Sequence, residues 1–131
     1  MRDVVLVSNG DFREPVGVNC WPKQEETLRG VEKAFHDLGV QTRRVPEYHA
    51  DRGHGFITTQ AEACRVMTTI PRTTPVVIVM ASWVWAHHLA GALKTHGGPI
   101  LLLGNFDGTW PGLVSLLNHS ATYSRMGIPH A

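Results

Sequence analysis

The chain has 131 residues, a net charge of +1, and 43% hydrophobic against 18% charged residues. That is one ordinary globular domain with a core of its own, and it gives no electrostatic case for nucleic acid or an anionic membrane surface. No segment approaches the ~20 apolar residues that span a bilayer, and the N-terminus lacks the apolar core of a signal peptide, so a cytoplasmic protein is expected. Cys20 and Cys64 stand in neither a CxxC nor a zinc-ligand spacing and read as free thiols.

In chain order, Val4–Ser8 (VVLVS) is a continuous apolar run of the kind buried on both faces of a parallel sheet. It ends in a polar turn at Asn9-Gly10-Asp11, and FREPVGVNCWP, with two prolines and a glycine, reads as a loop. A helix is expected from about Lys23 to Leu38, with Pro22 at its start and Leu28, Val31, Ala34, Phe35 and Leu38 as its apolar stripe. Gly39 stops it. Val40–Val45 carries two arginines and suits an edge strand.

Pro46–Gly55 is a long polar loop and a candidate for function. Thr58 or Thr59 can cap a helix over Gln60–Thr69, packed through Ala61, Cys64 and Met67. Val76–Ala81, Val84–Thr95 and Ile100–Gly104 form a strand–helix–strand unit, with Ser82 as the cap of its helix. A last helix runs from about Pro111 to Arg125, capped by Thr109, packed through Leu113, Leu116, Leu117 and Ala121, and stopped by Gly127. This alternation predicts an α/β fold: a doubly wound open parallel sheet, flavodoxin- or Rossmann-like, with helices on both faces. Ile-Pro-His-Ala closes the chain where a fifth strand would return, which suggests a domain of a longer protein.

In such sheets ligands sit beyond the carboxyl ends of the strands, where strand order reverses. With the order 2-1-3-4, that point brings together Asp11, Arg13, Trp83 and Asn105, with Asn9, Ser82, Trp85, Asp107 and Trp110 nearby. Carboxylates, an arginine and indoles suit a sugar, whose hydroxyls take hydrogen bonds and whose C–H face packs on a ring. The same residues also fit plain structural roles, with Asp11 and Asn105 closing turns and Trp83 and Trp110 packing at helix starts. No dinucleotide fingerprint, phosphate loop or nucleophile elbow is present. His87 and His88 are adjacent and cannot chelate one ion as an i, i+4 pair could. His49 and His54, with Glu47 and Asp51, offer only a loose metal constellation.

DFRE (Asp11–Glu14), QEETL on the next helix, QAEAC (Gln60–Cys64), ASW (Ala81–Trp83) and above all GNFDGTWPGLVSLLNHSATYSRMGIP (Gly104–Pro129) resemble the N-terminal domain of the L-fucose isomerase family, which includes distant relatives of L-arabinose isomerase. The resemblance implies part of an aldose–ketose isomerase, an intramolecular oxidoreductase using manganese or another divalent metal held by later domains. The metal-ligand segments are not in this chain, so it is expected to cover substrate and assist assembly rather than to catalyse alone. By the matching motifs, Arg13 binds a sugar hydroxyl, Trp83 forms an aromatic wall, and Asp11 accompanies them. The partners implied are an aldose or ketose, the remaining domains of the same protein and further copies in a homo-oligomer. The alternative is a self-contained flavodoxin-like module binding a sugar or a phosphate.

Overall fold

The computed structural model describes residues 3–131. Strands β1 (Asp3–Ser8), β2 (Gln41–Val45), β3 (Val76–Met80) and β4 (Ile100–Gly104) alternate with helices α1 (Glu14–Asp37), α2 (Gln60–Thr68), α3 (His87–Leu93) and α4 (Gly112–Arg125). All strand pairs are parallel, and the sheet order is β2-β1-β3-β4. The expected α/β fold, its strand order and the edge position of β2 are therefore all present.

Residues alternate strictly between two core layers, as the period of two in a strand demands. Val4, Leu6, Val77 and Val79 pack on Leu28 of α1, with Trp21, Val31 and Phe35 at the margin. Val5, Val7, Ile78 and Met80 face the other way, onto Ala63 and Met67 of α2, Leu89 and Leu93 of α3, and Tyr123 of α4. One helix thus covers one face and three cover the other. Arg44 of the edge strand reaches α1, where it meets Glu25 and Glu32 at 2.5 Å.

Several helix expectations need correction. The stretch FREPVGVNCWP is not a loop, because α1 already begins at Glu14. Pro15 occupies the first turn, where its missing N–H costs nothing, and Pro22 lies inside the helix rather than at its start. Its missing partner would be the carbonyl of Val18, on an exposed part of the helix. The buried residues of α1 are Gly17, Cys20, Gln24 and Leu28, a regular helical stripe that includes a glycine and a glutamine beside the apolar Cys20 and Leu28. Ala34 and Leu38, by contrast, face solvent.

On α2 the buried residues are Ala63 and Met67, whereas Ala61 and Cys64 are exposed. Thr59 is its cap, accepting from the Glu62 N–H at 3.1 Å. Helix α3 starts only at His87 with no side-chain cap, so Ser82 does not cap it. Gly39 and Gly127 do adopt the positive φ expected of helix stops, at 73° and 69°.

The largest reversal is α4. Its inward face is Gly112, Ser115, His119 and Tyr123, while Leu113, Val114 and Leu117 stand exposed and Ala121 with them. Thr109 is not its cap, that position being Pro111. Beyond α4, the Ala131 N–H donates to the Ile100 carbonyl at 2.9 Å and its carbonyl accepts from Leu102 N–H at 2.8 Å. Ala131 is thereby paired in parallel with β4.

Candidate functional site

The carboxyl ends of β1 and β3 open onto two irregular stretches, residues 9–13 and 81–86. Ordering the second of these explains the polar inner face of α4. A buried loop must have its backbone groups satisfied, and α4 supplies the partners. The Ser115 hydroxyl donates to the Ser82 carbonyl at 2.7 Å and accepts from the Val84 N–H at 2.6 Å. The Tyr123 hydroxyl donates to the Ala86 carbonyl at 3.2 Å. From α1, Gln24 completes the frame: its amide donates to Ser8 Oγ and the Val79 carbonyl, and its oxygen accepts from Ala81 N–H.

Ser115→Ala orphans one buried carbonyl and one buried N–H together. The expected loss is about 2 kcal/mol of stability. Chemical denaturation checks it, and tryptophan fluorescence should report a looser 82–86 loop in the folded state.

His119 is fully buried at the back of the same site. Its Nδ1 lies 2.7 Å from the Ser115 carbonyl, which can only accept, so Nδ1 carries the proton. The bare Nε2 then accepts from Asn9 Nδ2 at 2.9 Å, and burial holds the ring's pKa down at about 4. Asn9 Nδ2 also donates to the Trp85 carbonyl at 3.0 Å. Both amide protons of Asn9 are thus committed, which fixes the orientation of the group.

Asp11 and Arg13 are brought together at the end of β1. The Asp11 carboxylate accepts from Arg13 backbone N–H at 2.8 Å, from Nε at 2.9 Å and from Nη2 at 2.7 Å. Those hydrogen bonds, chiefly the one from the Arg13 side chain, hold the Asp11 carboxyl below its ordinary pKa. Asp11 is buried, whereas the Arg13 side chain is 56% exposed. One edge of the guanidinium is therefore occupied, and among the described residues nothing meets the edge made by its two terminal nitrogens.

The Arg13 guanidinium lies 5.7 Å from the centre of the Phe12 ring. Phe12 is 6.3 Å from Trp85, and Trp85 is 4.4 Å from Trp83 in an edge-to-face contact. Arg13 and Trp83 are linked through these two rings rather than touching directly. Asn105, at the end of β4, is engaged within its own turn. Its amide donates to Asp107 at 3.1 Å and to the Trp110 carbonyl at 3.4 Å, closing the turn before α4. Asp107 in turn pairs with Lys23, which draws its carboxyl down to about 2.

The sequence reading missed Phe12, and His88 as a residue of this edge; with Trp85, which it placed here, and Thr58–Ala61 they line a cleft of about 560 Å³ over the edge. A hydrophobic residue directly after Asp11 and a histidine inside a helix carry no signal by spacing alone. A larger hollow, about 650 Å³, opens at the amino end of β2 between Glu32, Gly39 and Thr42, away from the strand ends that position the residues above.

The loop at 46–55 has a structural role. His54 is fully buried, with Nε2 2.7 Å from Glu14 and Nδ1 accepting from Phe56 N–H at 3.1 Å. Arg52 joins Glu14 and Glu62, tying the loop to α1 and α2. Both ring nitrogens of His54 are engaged, so it does not serve the loose His49/His54 metal constellation. Among the described residues no group of three or more histidines, cysteines or acids could hold a metal ion. Both cysteines are free, and burial pushes the Cys20 thiol up to about 11. Among the described residues no helix is long and apolar enough to cross a membrane.

Four buried side-chain atoms have no hydrogen-bond partner among the described residues: Asn9 Oδ1, Trp85 Nε1, His88 Nδ1 and Asn105 Oδ1. Each such atom costs about 1–3 kcal/mol when nothing meets it. Asn9 follows β1, Trp85 lies in the loop after β3, and His88 is in the first turn of α3. No protein-family model matches this chain, and no curated protein matches it either.

Proposed function

We propose that this domain binds a sugar at the carboxyl edge of its parallel sheet, as the substrate-covering and assembly domain of a metal-dependent aldose–ketose isomerase of the L-fucose isomerase type. The observation that supports it best is the Asp11–Arg13 fork set beside the Phe12, Trp85 and Trp83 rings. Asp11 acts here as a positioning residue: it aims the guanidinium and leaves the Arg13 terminal nitrogens to donate to two neighbouring hydroxyls. The rings supply an apolar wall for the C–H face of a sugar. Asn105, held in its turn, has the weaker case for contact with substrate.

The assembly role is supported by apolar surface on two sides. Phe106 is 84% exposed, and Leu113, Val114 and Leu117 line the outer side of α4. Leu101 and Leu103 of β4 are only partly covered on the α1 face. Surface of this kind suits burial by the remaining domains or by further subunits. The divalent metal would be held by those other parts, and the domain alone would not turn over sugar.

The test is kinetic, in the complete isomerase. Arg13→Ala and Trp83→Ala should each raise KM and lower kcat/KM at least ten-fold while bound metal, measured by elemental analysis, stays unchanged. Unchanged kinetics in both variants would sink the reading. So would isomerisation of fucose or arabinose by the 131-residue chain alone with manganese. A self-contained flavodoxin-like module binding a sugar or a phosphate is the second reading, with the cleft between Phe12, Trp85 and His88 as its binding place.

A further inference from the structure

We propose that Asn9 Oδ1, the Trp85 indole N–H and His88 Nδ1 form the floor of a binding site for a neutral polyhydroxylated molecule, entered through the Phe12–Trp85 cleft. The three residues meet at one point. The Trp85 carbonyl accepts from Asn9 Nδ2 at 3.0 Å and from His88 backbone N–H at 3.2 Å. Asn9 Oδ1, Trp85 Nε1 and His88 Nδ1 are each left buried with no hydrogen-bond partner among the described residues. Asn9 is fully buried and His88 is 5% exposed, so these atoms cannot turn to solvent for a partner. Trp85 and His88 also line the cleft, together with Phe12.

The character of the missing partner follows from the atoms left over. Asn9 Oδ1 is a carbonyl oxygen and only accepts, and the amide cannot flip because both its protons are committed to His119 and to Trp85. The indole N–H only donates. A hydroxyl group is the smallest group that can donate to the first and accept from the second. A molecule with two or three hydroxyls could serve His88 as well.

The site is neutral. Asp11 is matched by Arg13, Glu62 is bound by Arg52 and Thr58, and burial disfavours the charged form of His88. An anion would find no unpaired cation at the floor, and a cation no unpaired carboxylate. The Phe12 ring, 57% exposed and resting against Trp85, is the side chain that must turn aside to admit the ligand. The ligand class rests on the sugar-binding reading above, but the residues are different ones.

The experiment follows the indole N–H resonances of the ¹⁵N-labelled chain. The Trp85 signal is identified by its loss in Trp85→Phe. Ribitol and L-fucose are the probes, with inorganic phosphate as the charged control. The expected result is a saturable downfield movement of the Trp85 indole proton with a polyol and none with phosphate. His88→Leu and Trp85→Phe, followed through the backbone amides of Thr59–Ala61, should weaken binding at least ten-fold. These two variants remove no partner from another buried side chain, unlike Asn9→Leu.

A Trp85 indole proton unmoved by either polyol overturns the proposal, leaving internal water as the partner of these atoms. Equal binding by His88→Leu and Trp85→Phe overturns it too. The two readings fail separately. A static Trp85 signal alongside Arg13- and Trp83-dependent kinetics sinks only this site. Saturable, His88-dependent binding without any kinetic effect of Arg13 or Trp83 sinks only the isomerase reading.

Discussion

Gly112→Ala is expected to destabilise the domain by roughly 3 kcal/mol or more, at the upper end of what overpacking costs. A methyl group at this position would fall 2.5 Å from the Met80 carbonyl and 2.7 Å from the Asn105 nitrogen, and would collide outright with the Asn105 amide oxygen. Two of these three atoms are backbone, at the ends of β3 and β4, and cannot swing away. The Asn105 N–H donates to the Met80 carbonyl at 3.2 Å, so a shift of either strand end breaks that bond as well. Gly104 faces the same contact from the other side, since its own added methyl would lie 2.5 Å from the Gly112 carbonyl. The start of α4 thus lies directly on the end of β4, and glycine at both positions is what lets the backbones approach.

Thermal unfolding should show the loss as a fall in Tm of about 10 °C for a chain of this size. Gly30→Ala is the natural control. It sits on α1 with nothing within 4 Å of an added methyl, and should stabilise slightly, by about 0.5–1 kcal/mol. A Gly112→Ala protein as stable as the parent would mean that α4 does not seat on the sheet as described.

Acid should weaken the fold well above the range in which carboxylates titrate, and His119 is the expected cause. In the folded chain burial holds its pKa at about 4, against 6.5 for an ordinary histidine. Between those values the unfolded chain takes up a proton that the folded chain refuses. Stability is therefore complete above pH 6.5 and falls as pH drops toward 4. At about 1.4 kcal/mol for each pH unit, the loss is roughly 3 kcal/mol across that window. His88, lowered chiefly by its own burial, pulls in the same direction. Asp11, Glu14 and Glu25 are held below their ordinary values by arginine partners, so their stabilisation is lost mainly at lower pH.

Denaturant titrations at a series of pH values measure the slope directly. His119→Gln keeps a side chain able to meet Asn9 but cannot protonate, and should flatten most of the curve. An unchanged slope in that variant would place the titrating group elsewhere.

The sheet was legible because its signal is local. Val4–Ser8, Val76–Met80 and Ile100–Gly104 are unbroken apolar runs, and such runs call for cover on both faces. The site was legible in part, through topology: Asp11, Arg13 and Trp83 follow the first and third strands and so had to lie near one edge. What spacing could not show is which of them would be spent on one another. Asp11 turns inward to hold Arg13, and Asn105 is drawn into the turn before α4.

The helices show where local reasoning stops. An apolar stripe was assumed to face the core, yet α1 buries Gly17 and Gln24, and α4 buries Ser115 and His119. Gly17 is there because a larger residue would strike the His54 ring. Gln24 and Ser115 are there because the strand ends and the 82–86 loop leave backbone groups that something buried must satisfy. Sequence by itself determined the parallel sheet and, once the common strand order is taken for it, the edge at which the polar residues gather, since these depend on periodicity and chain connectivity. Only the tertiary structure decided which face of α1 and α4 turns inward and which polar atoms remain unpaired, because hydrogen-bond satisfaction in a packed interior depends on neighbours far apart in the chain.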